Sequence, residues 1–438
     1  MTTAAADETV NDGGGVRDDV RAWLGENWPG AIEPGGRRAW LERVVDSGWG
    51  APSWPVERHG RGLDPATSRV VDEEFRAVGA FGTGQDMVNL WANTLLAFGS
   101  DELKDSFVRP LMLGDVDMCL LYSEPGAGSD LAGIQTRAER DGDEWVVNGQ
   151  KVWTSGGRQA EYALLITRTD WDAPKHKGIT FFFFPMRQPG VEVRPLRQAT
   201  GDSRFNEVFI TDARVPDANR LGDTNDGWRV LQTALAYERV AMGQAQNRRA
   251  AAARAGGSDG EATDGADAVR SADDERPAPV PDLSLLDLAR DVGRAGDPVI
   301  RQRLMRLHAM RQVNEWNGQR AKAALENGTS SPTASLGKLA MSGILHCAGS
   351  LQAELLGAEG MIGGTDSPRA ADATYSLLNA FFTSIGGGTD QIQRNIIGER
   401  ILGLPKEPSV DRDLPFRDVP KAPVGDVPKA AGSVSDRG

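Results

Sequence analysis

Three stretches of the chain carry residue types whose chemistry exceeds what packing requires. The first is Tyr122–Asp130, YSEPGAGSD, which follows the apolar run Cys119-Leu120-Leu121. Pro125 fixes one φ angle and Gly126 and Gly128 tolerate positive φ, so backbone amides there can turn toward a bound group. The second is Asn148–Ser155, NGQKVWTS. Asn148-Gly149 lies between two strand-like runs, the strongest short hairpin signal, and a hairpin there carries Trp153 and Ser155 back toward the Gly/Ser loop. Free amides and hydroxyls beside an indole face suit a flat, polar-edged ligand such as a flavin ring. Each half alone also reads as a Gly-Pro surface turn near a buried tryptophan.

The third is Glu238. Trp228, Leu231, Leu235 and Met242 follow 3-and-4 spacing on one helical stripe, and Glu238 falls on that stripe. Its helical neighbours are Ala234, Leu235, Ala241 and Met242, so no basic side chain stands at ion-pair spacing. Desolvation on such a stripe raises a carboxyl pKa toward that of a general base. The alternative is a structural glutamate paired with an arginine of another helix. A fourth stretch, Gly386–Gln391, GGGTDQ, reads by itself as a flexible turn with an N-cap.

The elements that must position these residues fall in three textures. Residues 1–15 are acidic and glycine-rich and predict a disordered tail. From Val16 to Phe107 the apolar spacing is helical, interrupted by the loop GWGAPSWPVERHGRG, and DMVNLWANTLLAF (Asp86–Phe98) predicts one buried helix. Trp145–Val147, Tyr162–Thr167, Ile179–Phe184, Val191–Val193 and Val208–Thr211 are short β-branched and aromatic runs separated by turn residues. Helical periodicity returns after the polar connector 217–227. Residues 248–282, rich in Ala, Gly, Asp and Pro, predict a flexible insertion. Helices follow from Leu283 to Asn327 with a break near Gly296, then Ala334–Leu356, Ala370–Ser384 and Gln391–Leu402. The tail beyond Pro405 is expected to be extended and mobile. The fold class is therefore multi-domain α+β. It comprises an N-terminal all-α domain (16–118), a middle antiparallel β-domain (119–224) and a C-terminal helical bundle (225–405).

Composition narrows the function. A chain of 438 residues exceeds one simple core. A formal charge of −13 argues against a nucleic-acid groove. Two cysteines, Cys119 and Cys347, give no disulfide framework or zinc set, and the four histidines lack metal-ligand spacing. No apolar run approaches a membrane span and no signal-peptide h-region opens the chain, so a cytoplasmic protein is expected. There is no βαβ alternation and no GxGxxG after a strand, which counts against a nicotinamide-binding domain.

Taken together, SEPGAGSD, NGQKVWTS and the terminal GGTDQIQRNIIGERILGLP, in that order, resemble the acyl-CoA dehydrogenase family over most of residues 16–415. The resemblance implies FAD as cofactor, an acyl-CoA thioester as substrate and an electron-transfer flavoprotein as electron acceptor. It places Tyr122, Ser123, Gly128, Ser129, Trp153, Ser155, Arg290, Thr389 and Gln391 at the flavin. Ser129, Arg239 and Gly387 fall on the substrate side. In most of the family the base precedes the terminal Gly-Thr, and that position is Gly387 here. A smaller set of relatives places the glutamate on the helix after the β-domain, directly before an arginine, which matches Glu238-Arg239. The Arg-x-x-Phe-Gly segment that related chains use at a neighbouring subunit's adenine is LARDVGRAGDP here, with Arg290 and Arg294 and no Phe. That departure leaves two readings open, a homodimer or homotetramer with an altered site or a partner-completing subunit of a hetero-oligomer; the family's flavin oxidases and monooxygenases stand as a third, separate alternative. By resemblance, the motif set inclines toward bulky or branched acyl groups, steroid side chains included.

Overall fold

A computed structural model describes residues 13–238, 284–326, 333–362, 367–409 and 411–419. Helices come first: α1 (Gly13–Asn27), α2 (Arg37–Asp46), α3 (Pro65–Ala77), α4 (Gln85–Val88), α5 (Leu90–Phe98) and α6 (Asp101–Leu113). Val16, Val20 and Leu24 of α1 bury against Trp40, Val44, Val71 and Phe75. Buried Glu74 receives Arg21 Nε at 2.7 Å and also pairs with Arg17, so α1 and α3 are joined by charge as well as packing. The stretch expected as one helix over Asp86–Phe98 breaks at Asn89, whose ψ of 85° is not helical. Its side chain instead accepts the Ala92 amide and caps α5.

The middle of the chain forms an eight-stranded sheet. In chain order the strands are β1 (Met118–Leu121), β2 (Arg137–Asp141), β3 (Glu144–Ser155), β4 (Tyr162–Arg168), β5 (Ile179–Pro185), β6 (Val191–Leu196), β7 (Phe205–Pro216) and β8 (Arg220–Leu221). The spatial order is β6-β7-β3-β2-β4-β5-β8, with β1 beside β4. Pairing is antiparallel except that β1 and β2 run parallel to β4. Strand β5 is apolar on both faces: Phe181 and Phe183 enter the core shared with the N-terminal helices, and Phe182 and Phe184 enter the core under β3 and β7.

The hairpin expected at Asn148-Gly149 is absent, because β3 runs unbroken through both residues. The chain reverses earlier, at Gly142-Asp143, where Gly142 has φ +67° and Asp141 pairs with Glu144. Asn148 and Gly149 mark a bulge in the β3–β7 ladder. The Asn148 amide exchanges hydrogen bonds with Asp212, Nδ2 to Oδ1 at 2.9 Å and Asp212 N to Oδ1 at 3.0 Å. Gly149 is needed for close approach, since a Cβ there would lie 2.3 Å from Thr136 Oγ1 and 2.7 Å from Thr136 Cα.

Residues 227–238 form helix α7, with Val230, Leu231 and Ala234 fully buried against the sheet and α-layer core. The predicted insertion 248–282, Arg239 and most of the expected tail at 1–15 lie outside the described residues. The C-terminal helices are α8 (Leu285–Asp291), α9 (Pro298–Glu326), α10 (Thr333–Leu356), α11 (Pro368–Ile385) and α12 (Asp390–Ile396), the last passing into a π turn at Ile397–Ile401. Leu288, Ile300, Leu307, Ile344, Leu351 and Ala373 make their common core. Beyond Pro405 the expectation of an extended, mobile tail fails in part. Residues 411–419 dock on the β4–β5 loop, and Phe416 is 2% exposed.

Because the Gly149 contact involves backbone, Gly149→Ala should destabilise the protein by about 1–3 kcal/mol. Urea unfolding measures this, and a wild-type midpoint would show that β3 and Thr136 can separate at no cost.

Candidate active site

The Gly/Ser loop is closed on itself and anchored from within. Glu124 and Ala127 exchange two backbone hydrogen bonds of 3.0 Å across the Pro125-Gly126 turn. The Glu124 side chain points inward, 8% exposed. Its Oε2 accepts the Gln135 amide at 2.7 Å, and its Oε1 accepts the Thr136 amide and Lys151 Nζ, both at 2.9 Å. Lys151 has no solvent exposure and donates also to the Tyr122 carbonyl at 3.1 Å. Burial pushes the Glu124 carboxyl up, but Lys151 and the amides outweigh it and hold the group below the usual carboxylate range. The loop is thus fastened to β3 by a buried ion pair.

Strand β3 presents the aromatic face. Val152 N donates to the Ser123 carbonyl at 2.9 Å, which brings Ser123 beside the Trp153 segment. A second register shift between Lys151 and Thr154 accompanies Trp153, whose φ is +62°. This left-handed geometry is uncommon for a bulky residue and turns the indole outward, 56% exposed. The indole meets Phe205 edge-on at 6.0 Å, and Phe205 meets Phe382 of α11 at 5.5 Å. Arg204 Nη2 donates to Tyr375 of α11 at 2.8 Å and to Asp202 at 3.0 Å, so β7's entry is also tied to the bundle.

Ser123 and Ser155 are half-buried, and Gly128 and Ser129 are exposed on the loop. Tyr122 is buried against Phe181, with ring centroids 5.8 Å apart, and its hydroxyl has no hydrogen-bond partner among the described residues. Burial and then the charge of Glu238 raise the phenol pKa well above its ordinary value, which puts the Glu238 carboxylate in electrostatic reach of Tyr122. Glu238 itself is half-buried at the last described residue of α7. At the end of α11, Gly387 and Gly388 have φ of +65° and +87°, and Thr389 caps α12 by accepting the Ile392 amide at 3.2 Å. Gln391 is exposed on that helix. Arg290 is placed elsewhere: it is exposed on α8, pairs with Asp287 at 2.9 Å, and its helix packs on α9 and α10.

The arrangement fits a flat ligand with polar edges. It offers an outward indole, an unmet buried hydroxyl, and open space where Cβ atoms at Gly126 and Gly128 would stand. Among the described residues no group of three His, Cys, Asp or Glu side chains could hold a metal, and no helix is long and apolar enough to cross a membrane. Glu124 and Lys151 lie inside the two motifs, where neither residue type nor spacing marks them as a buried pair. Lys151 was detectable as a lone cation in a run where its neighbour Val152 is apolar. Lys151→Met leaves Glu124 buried without its cation and should cost about 3–5 kcal/mol. The double variant Lys151→Met/Glu124→Gln should cost less than that single change in urea unfolding, and equal losses would mean that the pair does not act as a unit.

Similarity to known proteins follows the same lines. Residues 16–115, 119–213 and 284–402 match the N-terminal, middle and C-terminal domains of acyl-CoA dehydrogenase, respectively. The acyl-CoA dehydrogenase IpdE1 of Mycobacterium tuberculosis is 34% identical over 418 residues, covering 89% of this chain and 97% of the relative. FadE34 of the same organism is 38% identical over 367 residues, covering 83% of this chain, which spans only 46% of that longer protein. Among solved structures, the Tcur3481-Tcur3483 steroid ACAD superimposes with a TM-score of 0.64 at 26% identity, covering 93% of this chain and 100% of that one. The ChsE4-ChsE5 complex from Mycobacterium tuberculosis gives 0.58 at 27% identity, with the same coverage of 93% and 100%. The chain belongs to the acyl-CoA dehydrogenase family, a flavin-dependent group of oxidoreductases.

Proposed function

We propose that the protein dehydrogenates an acyl-CoA thioester to the trans-2-enoyl-CoA, with Glu238 as the base for the α-proton and FAD as the hydride acceptor. What supports this reading is that Gly387, at the position of the usual base, carries no side chain, while the charge of Glu238 acts on buried Tyr122 at the head of the Gly/Ser loop. When bound, FAD would supply an electrophilic ring as the acceptor of the β-hydride. Trp153 would offer a face along that ring, and the Ser123 and Ser155 hydroxyls would donate to its polar edge. Gly128, Ser129, Thr389 and Gln391 line the polar approaches. The Gly387 amide polarises the thioester carbonyl and so acidifies the α-carbon. Glu238, half-buried on α7, accepts the α-proton. A glutamate at position 387 is disfavoured in this chain, because φ +65° costs a residue with a Cβ about 1–2 kcal/mol.

Electrons then pass to an electron-transfer flavoprotein, as in the family's dehydrogenases. The relative solved as a complex of ChsE4 with ChsE5 supports an assembly that pairs this chain with a second copy or a related subunit.

Anaerobic stopped-flow reduction of the purified flavoprotein tests the base. Glu238→Gln should keep its flavin and bind acyl-CoA yet reduce about a hundredfold more slowly. Normal reduction in a folded Glu238→Gln variant, or a protein that binds no flavin when expressed alone, would remove this mechanism. The steroid ACAD neighbour supports a bulky acyl group. In a panel running from butyryl-CoA to steroid-side-chain CoA thioesters, kcat/KM should be highest for the steroid forms. A preference for short straight chains would overturn that substrate class.

A further inference from the structure

Residues 411–419 come back from the end of the bundle and lie along the loop between β4 and β5. Phe416 N donates to the Ala173 carbonyl and Arg417 N to the Trp171 carbonyl, both at 3.0 Å. Arg417 pairs with Asp172 at 2.5 Å. The Phe416 ring covers Arg168, with Cζ 3.7 Å from its centroid, and packs on Trp171 at 5.4 Å. Arg168 has no solvent exposure, and burial pushes its pKa down to about 10. Its two terminal nitrogens hold backbone carbonyls: Ala132, directly behind the Gly/Ser loop, at 2.6 Å, and Lys175 at 2.7 Å. Lys175 Nζ in turn bridges Asp411 of the returning segment at 2.7 Å and Asp130 of the Gly/Ser loop at 3.0 Å. Next to it, His176 meets Trp228 of α7 edge-on at 4.6 Å.

The β4–β5 loop therefore touches three things at once: the returning segment, the Gly/Ser loop and the helix that carries Glu238. Residues 169–178 contribute no strand or helix; the loop closes on itself where Thr169 N donates to the Gly178 carbonyl at 2.9 Å and Lys177 N to the Pro174 carbonyl at 2.7 Å, and the returning segment pairs alongside it. A desolvated guanidinium gains from an aromatic face, and the Phe416 ring supplies one. We propose that residues 411–419 are a strap whose Phe416 and Asp411 position the candidate active site, holding the Ser129 loop and the Glu238 helix in register through the β4–β5 loop. The inference rests on the functional reading above for the meaning of "active site", and its test does not.

Hydrogen exchange on the full chain tests it. Phe416→Leu keeps apolar bulk over Arg168 and removes the aromatic face; Asp411→Asn removes the charge that Lys175 bridges. In each variant, exchange in 124–133, 169–178 and 228–238 should accelerate about tenfold. Residues 205–216 and α10 should keep their protection, and the urea midpoint of Asp411→Asn should scarcely move. Faster exchange confined to 411–419 would make the segment a passenger, and equal acceleration everywhere would make it a general stabiliser; either overturns the proposal. Should Phe416→Leu fail to fold, Asp411→Asn decides alone. Because neither flavin nor thioester enters the measurement, its failure is separable from failure of the Glu238 test.

Discussion

An ammonium group sealed from water has to find every partner inside the protein, and Lys151 finds them in the Tyr122 carbonyl and the Glu124 carboxylate. Glu124 is equally constrained and spends its remaining lone pairs on the amides of Gln135 and Thr136. Four pieces of chain thereby meet at one charge pair: the exit of β1, the Gly/Ser loop, the entry to β2, and β3. The spacing along the chain does the rest. Ser123 precedes Glu124 by one residue and Trp153 follows Lys151 by two, so fixing the pair fixes the hydroxyl and the indole relative to each other. A buried pair of this kind contributes little net stability against an apolar replacement. Its value here is geometric.

From that anchor the site reaches the helical bundle by contact rather than covalent continuity. Trp153, Phe205 and Phe382 form a short aromatic series from β3 through β7 to α11, and the Arg204–Tyr375 hydrogen bond runs beside it. Three residues after Phe382, α11 ends and the glycine turn at 386–388 begins. Glu238 approaches from the opposite side of the sequence, on a helix whose Leu231 and Ala234 share a core with Tyr122 and Phe181. The candidate groups thus come from a loop, a bulged strand, a glycine turn and helix α7, each packed on the sheet or on a neighbour of it.

Much of this order was legible in the chain. The β-branched and aromatic runs at 162–167 and 179–184 became β4 and β5, and the helical stripes after 283 became the bundle. What escaped was long-range. Asn148-Gly149 carries the local signature of a turn, yet the glycine serves the approach of Thr136, which no window around Gly149 contains. Asn89 is the local exception: its side chain caps α5 and divides the stretch whose apolar spacing predicts one helix. Phe416 stands alone among Pro, Asp and Arg, so composition argued for a loose tail; its partner Arg168 is far away in the sequence and had no reason to be read as buried. Glu238 was conspicuous as a carboxylate on an apolar stripe, and the structure leaves it half-buried, with its charge felt at Tyr122.

Strand β5 has a further consequence, for how the protein is made. Four consecutive phenylalanines, all fully buried, form a segment of high β-propensity without charge, the composition that self-associates when exposed on a nascent chain. Lys177 and Pro185 flank it, and β4 covers one side as soon as both have been synthesised. The other side is guarded only later: β8 pairs with Phe181 and Phe182, and the Asn219 side chain takes the Phe183 carbonyl at 2.9 Å. Past that point Gly227 runs so close to Ile179 and Thr180 that a Cβ would come within 2.8 Å of their backbone. The connector that leads into the Glu238 helix is thus also the seal on the sheet's most sticky edge. Substitutions between 217 and 227 that leave the finished enzyme intact can therefore still lower its yield in the cell, by lengthening the time that edge stays open.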